Sequence, residues 1–96
     1  MSGVTMTSNF EVLCAFGRGE WDYMVAVLVC AQADWLACVE AEARVCAVFK
    51  LPVMYPIEIR RVRGISAEER LRLMDARLEG ALWSRVKRGC GTGLQD

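Results

Sequence analysis

Between Glu20 and Leu51 the chain holds neither glycine nor proline, and a run of that length without a punctuating residue has to be carried by regular structure. Glu20 and Asp22 stand where the positive end of a helix dipole favours acids. Val25, Val27 and Val29 would suit a buried strand, but the continuation through Ala31, Ala33, Ala37, Ala41 and Ala43 favours helix by propensity. The run is therefore read as helix over residues 20–50, either unbroken or divided near Asp34, which could cap a second helix.

The flanking segments are read in the same way. Ser8 or Asn9 caps a short helix over residues 9–16, with Gly17 as its left-handed stop; a strand is the second choice, because Val12, Cys14 and Phe16 alternate with less apolar neighbours. Pro52 closes the long helical run, and Pro56 opens a short helix over 57–63 that ends at Gly64. An edge strand is the rival there, since Ile57 and Ile59 alternate with Glu58 and Arg60. Ser66-Ala67-Glu68-Glu69 is a capping box that starts a helix over 66–87, stopped by Gly89, with Leu71, Met74, Leu78, Leu82 and Val86 as its apolar stripe. The expected fold is all-α: a small bundle of about four helices in one domain over 1–96, with flexible tails at 1–7 and 89–96.

An apolar content of 54% exceeds what one small core uses, which leaves apolar surface for a partner. Residues 35–50 make the point locally. Glu40 and Arg44 form one acid-to-base pair and Glu42 is the other interior charge, so nearly all the rest of that cylinder is apolar and asks for cover on several sides, by a symmetric copy or another partner. Twelve basic residues balance twelve acidic ones, which argues against the single-sign surface of a DNA mimic or a phosphate-tracking protein. The balance is uneven along the chain: residues 1–50 carry three basic against six acidic groups, and residues 51–96 nine against six.

The absence of histidine removes the common general base and most zinc ligand sets. Five cysteines, an odd number with no C-x-x-C pair, fit reduced thiols in a cytoplasmic protein and supply no structural metal site, although Cys38, Glu42 and Cys46 share a helix face. Cys90, near Lys87 and Arg88, is the one thiol with neighbours that could activate it. Gly89-Cys90-Gly91-Thr92-Gly93 lacks the strand before and the helix after that a phosphate loop requires. No enzyme, cofactor or metal is expected, nor a membrane span, since the longest apolar run, Met24 to Ala31, is far too short.

Partner-binding residues are expected among Arg60, Arg61 and Arg63 and among Arg85 and Arg88, with Trp83 as an interface anchor because it lies off the last helix's apolar stripe. Trp35 is assigned to the core.

The run Trp35…Cys38…Glu42-Ala43-Arg44, Leu51-Pro52, Arg60-Arg61, Arg63-Gly64, Glu69-Arg70-Leu71 and Leu82-Trp83…Arg85 is similar to small helical proteins encoded by phages and prophages of proteobacteria, over residues 35–88. The resemblance implies an origin more than a mechanism. Its context suggests a protein of the anti-CRISPR kind, which binds and blocks a host protein complex and could do so as a homodimer. The alternatives are a small nucleic-acid-binding regulator that uses the basic C-terminal half and a component of virion assembly.

Overall fold

The computed structural model describes residues 6–75 and 81–88. Its architecture is one antiparallel sheet with a helix packed on one face, and this overturns the all-α, helical-bundle expectation. The elements are β1 (Ser8–Arg18), β2 (Trp21–Ala31), α1 (Asp34–Phe49), β3 (Glu58–Ile65), α2 (Ala67–Asp75) and β4 (Ala81–Lys87), with the sheet ordered β3-β1-β2-β4.

Each of the four expected helices is a strand wholly or in part. The segment 9–16 belongs to β1, 57–63 largely to β3, and 20–50 divides into β2 and α1. The helix expected over 66–87 is α2 followed by β4. The alternations Val12/Cys14/Phe16 and Val25/Val27/Val29 decide β1 and β2: each is a period of two, and both stripes pack on one face of a hairpin. Isolated propensity loses to this pairing, because most of the alanines that favoured helix lie beyond β2 and belong to α1.

The hairpin turn sits at Gly19-Glu20. Gly19 adopts φ 63°, a conformation glycine enters without penalty. The left-handed residue is therefore Gly19 and not Gly17, which stays in β1. The chain does break near Asp34, one of the two alternatives, but the break separates a strand from a helix and not one helix from another. The cap residue is Ala33 and makes no side-chain hydrogen bond, while Asp34 occupies the acid-favouring first turn. α1 ends at Phe49, with Lys50 left-handed at φ 57°. The Leu51 N–H donates to the Cys46 carbonyl, a helix-closing bond of the usual kind.

β2 and β3 both run antiparallel to β1, so α1 is the crossover that carries the chain over one face of the sheet. That face presents Val12, Cys14, Phe16, Tyr23, Val25, Val27 and Val29, all buried, with Ile59 and Val62 packed beside them. α1 answers with Ala37, Ala41 and Val45, also buried. Small side chains at these contacts let the helix lie close to the sheet. At the hairpin end an aromatic cluster closes the core. Phe16 stacks on Tyr23 at 4.8 Å, and Phe49 meets both rings edge-on at 5.2 and 5.4 Å.

Arginines fasten the periphery. Arg44 donates to the Leu28 carbonyl at 2.9 Å, just past the last β2 residue paired with β4. Arg18 donates to the Phe49 carbonyl at 2.7 Å, satisfying an orphan acceptor at the end of α1. On the opposite sheet face Glu11 is buried and paired with Arg63 at 2.8 Å, and Arg63 also reaches Glu69 of α2 at 3.0 Å. The capping box at Ser66 forms its first half, with the Glu69 N–H donating to Ser66 Oγ at 3.0 Å. The Glu69 carboxylate goes to Arg63 and not back to the cap.

Candidate interaction surface

The residues expected to bind a partner are mostly engaged inside the fold. Arg63 joins Glu11 and Glu69, two carboxylates that hold its guanidinium pKa above the ordinary value. Arg60 is the extra residue of a β-bulge in β3. It pairs with Glu58 at 3.7 Å. Arg61 is exposed on the edge strand, a placement that discourages edge-to-edge pairing.

On β4, Arg85 stacks its guanidinium 4.1 Å from the Trp21 ring centre and donates to the Tyr23 hydroxyl at 3.4 Å, the first of these a cation–π contact. The hydrogen bond is the largest cause of a lowered Tyr23 pKa, with Arg18 adding to it. Arg88 clamps the hairpin turn: Nε and Nη2 both reach Asp22 Oδ1, at 3.0 and 2.9 Å, and further bonds go to the carbonyls of Gly19 and Trp21. Gly17 makes room for this clamp, since a Cβ there would run into the Arg88 guanidinium. Trp83 is half exposed and packs edge-on against Phe49 at 5.3 Å, roofing the aromatic cluster. The structure thus gathers Arg85, Arg88 and Trp83 at β4 and leaves Arg60, Arg61 and Arg63 on the opposite edge of the sheet.

Two of the described thiols, Cys14 and Cys38, are shifted away from ionisation. Burial pushes Cys14 up to about 12, with the charge of Glu42 and the neighbouring Cys38 adding to it, and Cys38 is raised by its own burial, Asp34 and Glu42. A thiol held so far above neutrality is protonated and a poor nucleophile. Cys14, Cys30, Cys38 and Cys46 are free, and no group of three or more potential metal ligands occurs among the described residues. Cys90 and the Gly89–Gly93 run lie outside the described residues. No helix among the described residues is long and apolar enough to cross a membrane.

Two concavities lie among the described residues. The larger, about 600 Å³, is an open depression lined by Ala15, Gly17, Met24, Asp22, Glu58 and Arg60. Its charged groups are already taken, Asp22 by Arg88 and Glu58 by Arg60, so it offers no convergent polar groups to a ligand. The smaller, about 330 Å³, is a groove between α1 and the segment that follows it, lined by Val39, Ala43, Cys46, Val53, Tyr55 and Ile57, with Glu42 at its side. The Tyr55 hydroxyl donates to the Gly17 carbonyl and thereby ties this segment to the hairpin.

The groove lies within a wider apolar surface. At about 100° per residue, Val39, Ala43 and Ala47 point away from the sheet-facing Ala37, Ala41 and Val45. Trp35 is 64% exposed one turn before Val39, and Val53 and Met54 are each 90% exposed in the turn beyond the groove. The charges of α1 are kept to its end and flanks: Asp34, then Glu40 and Arg44, paired at 3.6 Å, on one side and Glu42 on the other. Trp35, assigned to the core from sequence, is therefore a surface residue. The signal for this surface in the sequence is the nearly all-apolar cylinder of residues 35–50; Val53 and Met54 carry no periodic signal.

Comparison with protein-family models, curated proteins and solved structures finds no match. The phage and anti-CRISPR descriptions find no support there.

Proposed function

We propose that this protein is a non-enzymatic protein–protein interaction module that docks a protein partner on the outward face of α1 and the adjoining 53–57 segment. One observation carries the reading. A largely apolar surface, with Glu42 at its edge, runs from Trp35 through Val39 and Ala43 to Val53 and Met54, exposed on a helix whose other side is already committed to the sheet. Scattered apolar residues are normal on a protein surface, but a contiguous patch with a tryptophan at one end and a groove beside it is the composition of a binding site. The scaffold suits the task, because a helix seated on a sheet presents its outer face with little freedom to rearrange. A nucleic-acid site on β3 is less well supported, since Arg60 and Arg63 are already paired with carboxylates.

A photo-crosslinking residue at Val39 is the test. Protein adducts that survive nuclease treatment and disappear when Met54→Glu is added support the docking surface. Adducts that form equally well from position 61 on β3, or capture of nucleic acid alone, refute it.

A further inference from the structure

The outward face of α1 is not uniform along its length. Its first half carries the large residues Trp35 and Val39, with Leu36 half-buried at the edge, and its second half carries the small ones, Ala43, Cys46 and Ala47. The groove opens toward the small end, where Ala43 and Cys46, with Val39 and Glu42 beside them, form one wall and Val53, Tyr55 and Ile57 the other. A knob and a hole therefore sit on one surface, separated by about three turns of helix, or about 16 Å at about 1.5 Å per residue.

That arrangement is self-complementary in one orientation. We infer that a second copy of this chain is the occupant, its α1 packed antiparallel across a two-fold axis level with Ala41, so that Trp35 of each chain enters the groove of the other. The inference rests on the docking reading above and names its partner. With the axis there, Val39 of one chain stands opposite Ala43 of the second, and large meets small along the whole contact. A two-fold perpendicular to the helix also sets each flank against the same flank of the second copy. Trp35 then arrives beside Cys46 at the mouth of the groove. Glu40 stays at the rim, paired within its own chain to Arg44, which turns back to the Leu28 carbonyl. A parallel arrangement would instead put Trp35 on Trp35 and leave the alanines facing a gap.

One feature opposes the pairing and makes it testable. Glu42 lies on the other flank, so the two copies bring their Glu42 carboxylates together, and neutralising them should tighten the dimer.

Sedimentation equilibrium over about 1–300 μM reads the association directly. The wild type is expected to dimerise within this range. Val39→Lys and Ala43→Glu, both at exposed positions, should each weaken the dimer at least about 100-fold, or about 2.7 kcal/mol. An equimolar mixture of those two variants should pair again, because the introduced lysine of one chain faces the introduced carboxylate of the other only in the antiparallel register. Glu42→Gln should lower the dissociation constant several-fold. Circular dichroism confirms that each variant is folded. A wild type that stays monomeric throughout, or a mixture that fails to pair, overturns self-association. If the crosslinker at Val39 still captures a heavier protein in a Met54-dependent way, the docking surface stands with a different partner; if it captures none, both readings fall.

Discussion

Two valines three residues apart in α1 give the sharpest test of how the helix sits on its sheet. Val45 is 1% exposed and Val48 is 47% exposed, so the same substitution to alanine should have very different costs. At Val45 the change removes two carbons from contact with the sheet, a transfer loss of about 1.6 kcal/mol at about 0.8 kcal/mol per carbon. The void left behind, about 40 Å³ if nothing relaxes, adds about 1 kcal/mol at about 24 cal/mol per Å³. Alanine's better helix propensity offsets about 0.5 kcal/mol, which leaves a net destabilisation of about 2 kcal/mol. At Val48 about half the transfer loss applies with no cavity, and the propensity gain cancels most of it, so the net change is about 0.3 kcal/mol. For a domain of this size the corresponding falls in Tm are about 8–16 °C and about 2 °C. Urea denaturation followed by circular dichroism, with both variants at one protein concentration, measures the difference. A Val45→Ala variant within about 0.5 kcal/mol of wild type, or a Val48→Ala variant as damaged as Val45→Ala, would refute the placement of α1.

Removing the clamp with Arg88→Ala should destabilise by about 1 kcal/mol or less, because the side chain is half exposed and its ion pair is screened; hydrogen exchange of the β4 amides should speed up while that of β1 does not. Tyr23 should ionise below the ordinary tyrosine value, and Arg85→Gln, which removes the largest cause of the lowering, should move the ultraviolet titration upward. Cys14 should resist alkylation in the folded protein while the exposed Cys30 reacts, as peptide mass spectrometry would show. Because folding raises the Cys14 pKa from 9.0 to about 12, the protein keeps the full contribution below pH 9 and loses stability as pH rises toward 12, by up to about 1.4 kcal/mol per unit as the unfolded thiol ionises first. Cys14→Ala should remove that slope.

The elements best read from the chain were those set by local chemistry. The start of α2 at Ser66 and the end of α1 short of Pro52 follow from capping and proline, which act within a few residues. The strands depended on partners far along the chain. β1 and β2 alternate cleanly only on the face that meets α1; on the other face Leu13 and Ala15 of β1 and Met24 and Ala26 of β2 are half-buried and blur the pattern. β3 hid for a different reason: the bulge at Arg60 puts Arg60 and Arg61 side by side and breaks the period of two just where it would have been recognised. Of the arginines read as contacts for a partner, Arg60, Arg63, Arg85 and Arg88 make contacts within the fold and Arg61 is exposed, a division that composition cannot show because both uses place a guanidinium near acceptors. The apolar excess around residues 35–50 survived the change of fold, since it is a property of α1 whether its neighbours are helices or strands.

That excess leads to one more expectation, which separates a partner surface from a misjudged core. A helix that covers a sheet normally turns polar residues outward, whereas α1 turns out Trp35, Val39, Ala43 and Ala47. If these residues served the fold, polar replacements would unfold the chain. If they serve a partner, the monomer should tolerate them. Trp35→Ser and Val39→Gln should therefore change the unfolding free energy by less than about 0.5 kcal/mol when measured at a concentration low enough to hold the protein monomeric. At higher concentration the wild type should gain stability by mass action and the variants should not, so the two unfolding curves separate as protein is added. A loss above about 1.5 kcal/mol in the dilute monomer would mean that Trp35 and Val39 are held by contacts within the chain, and the docking surface would then be part of the core.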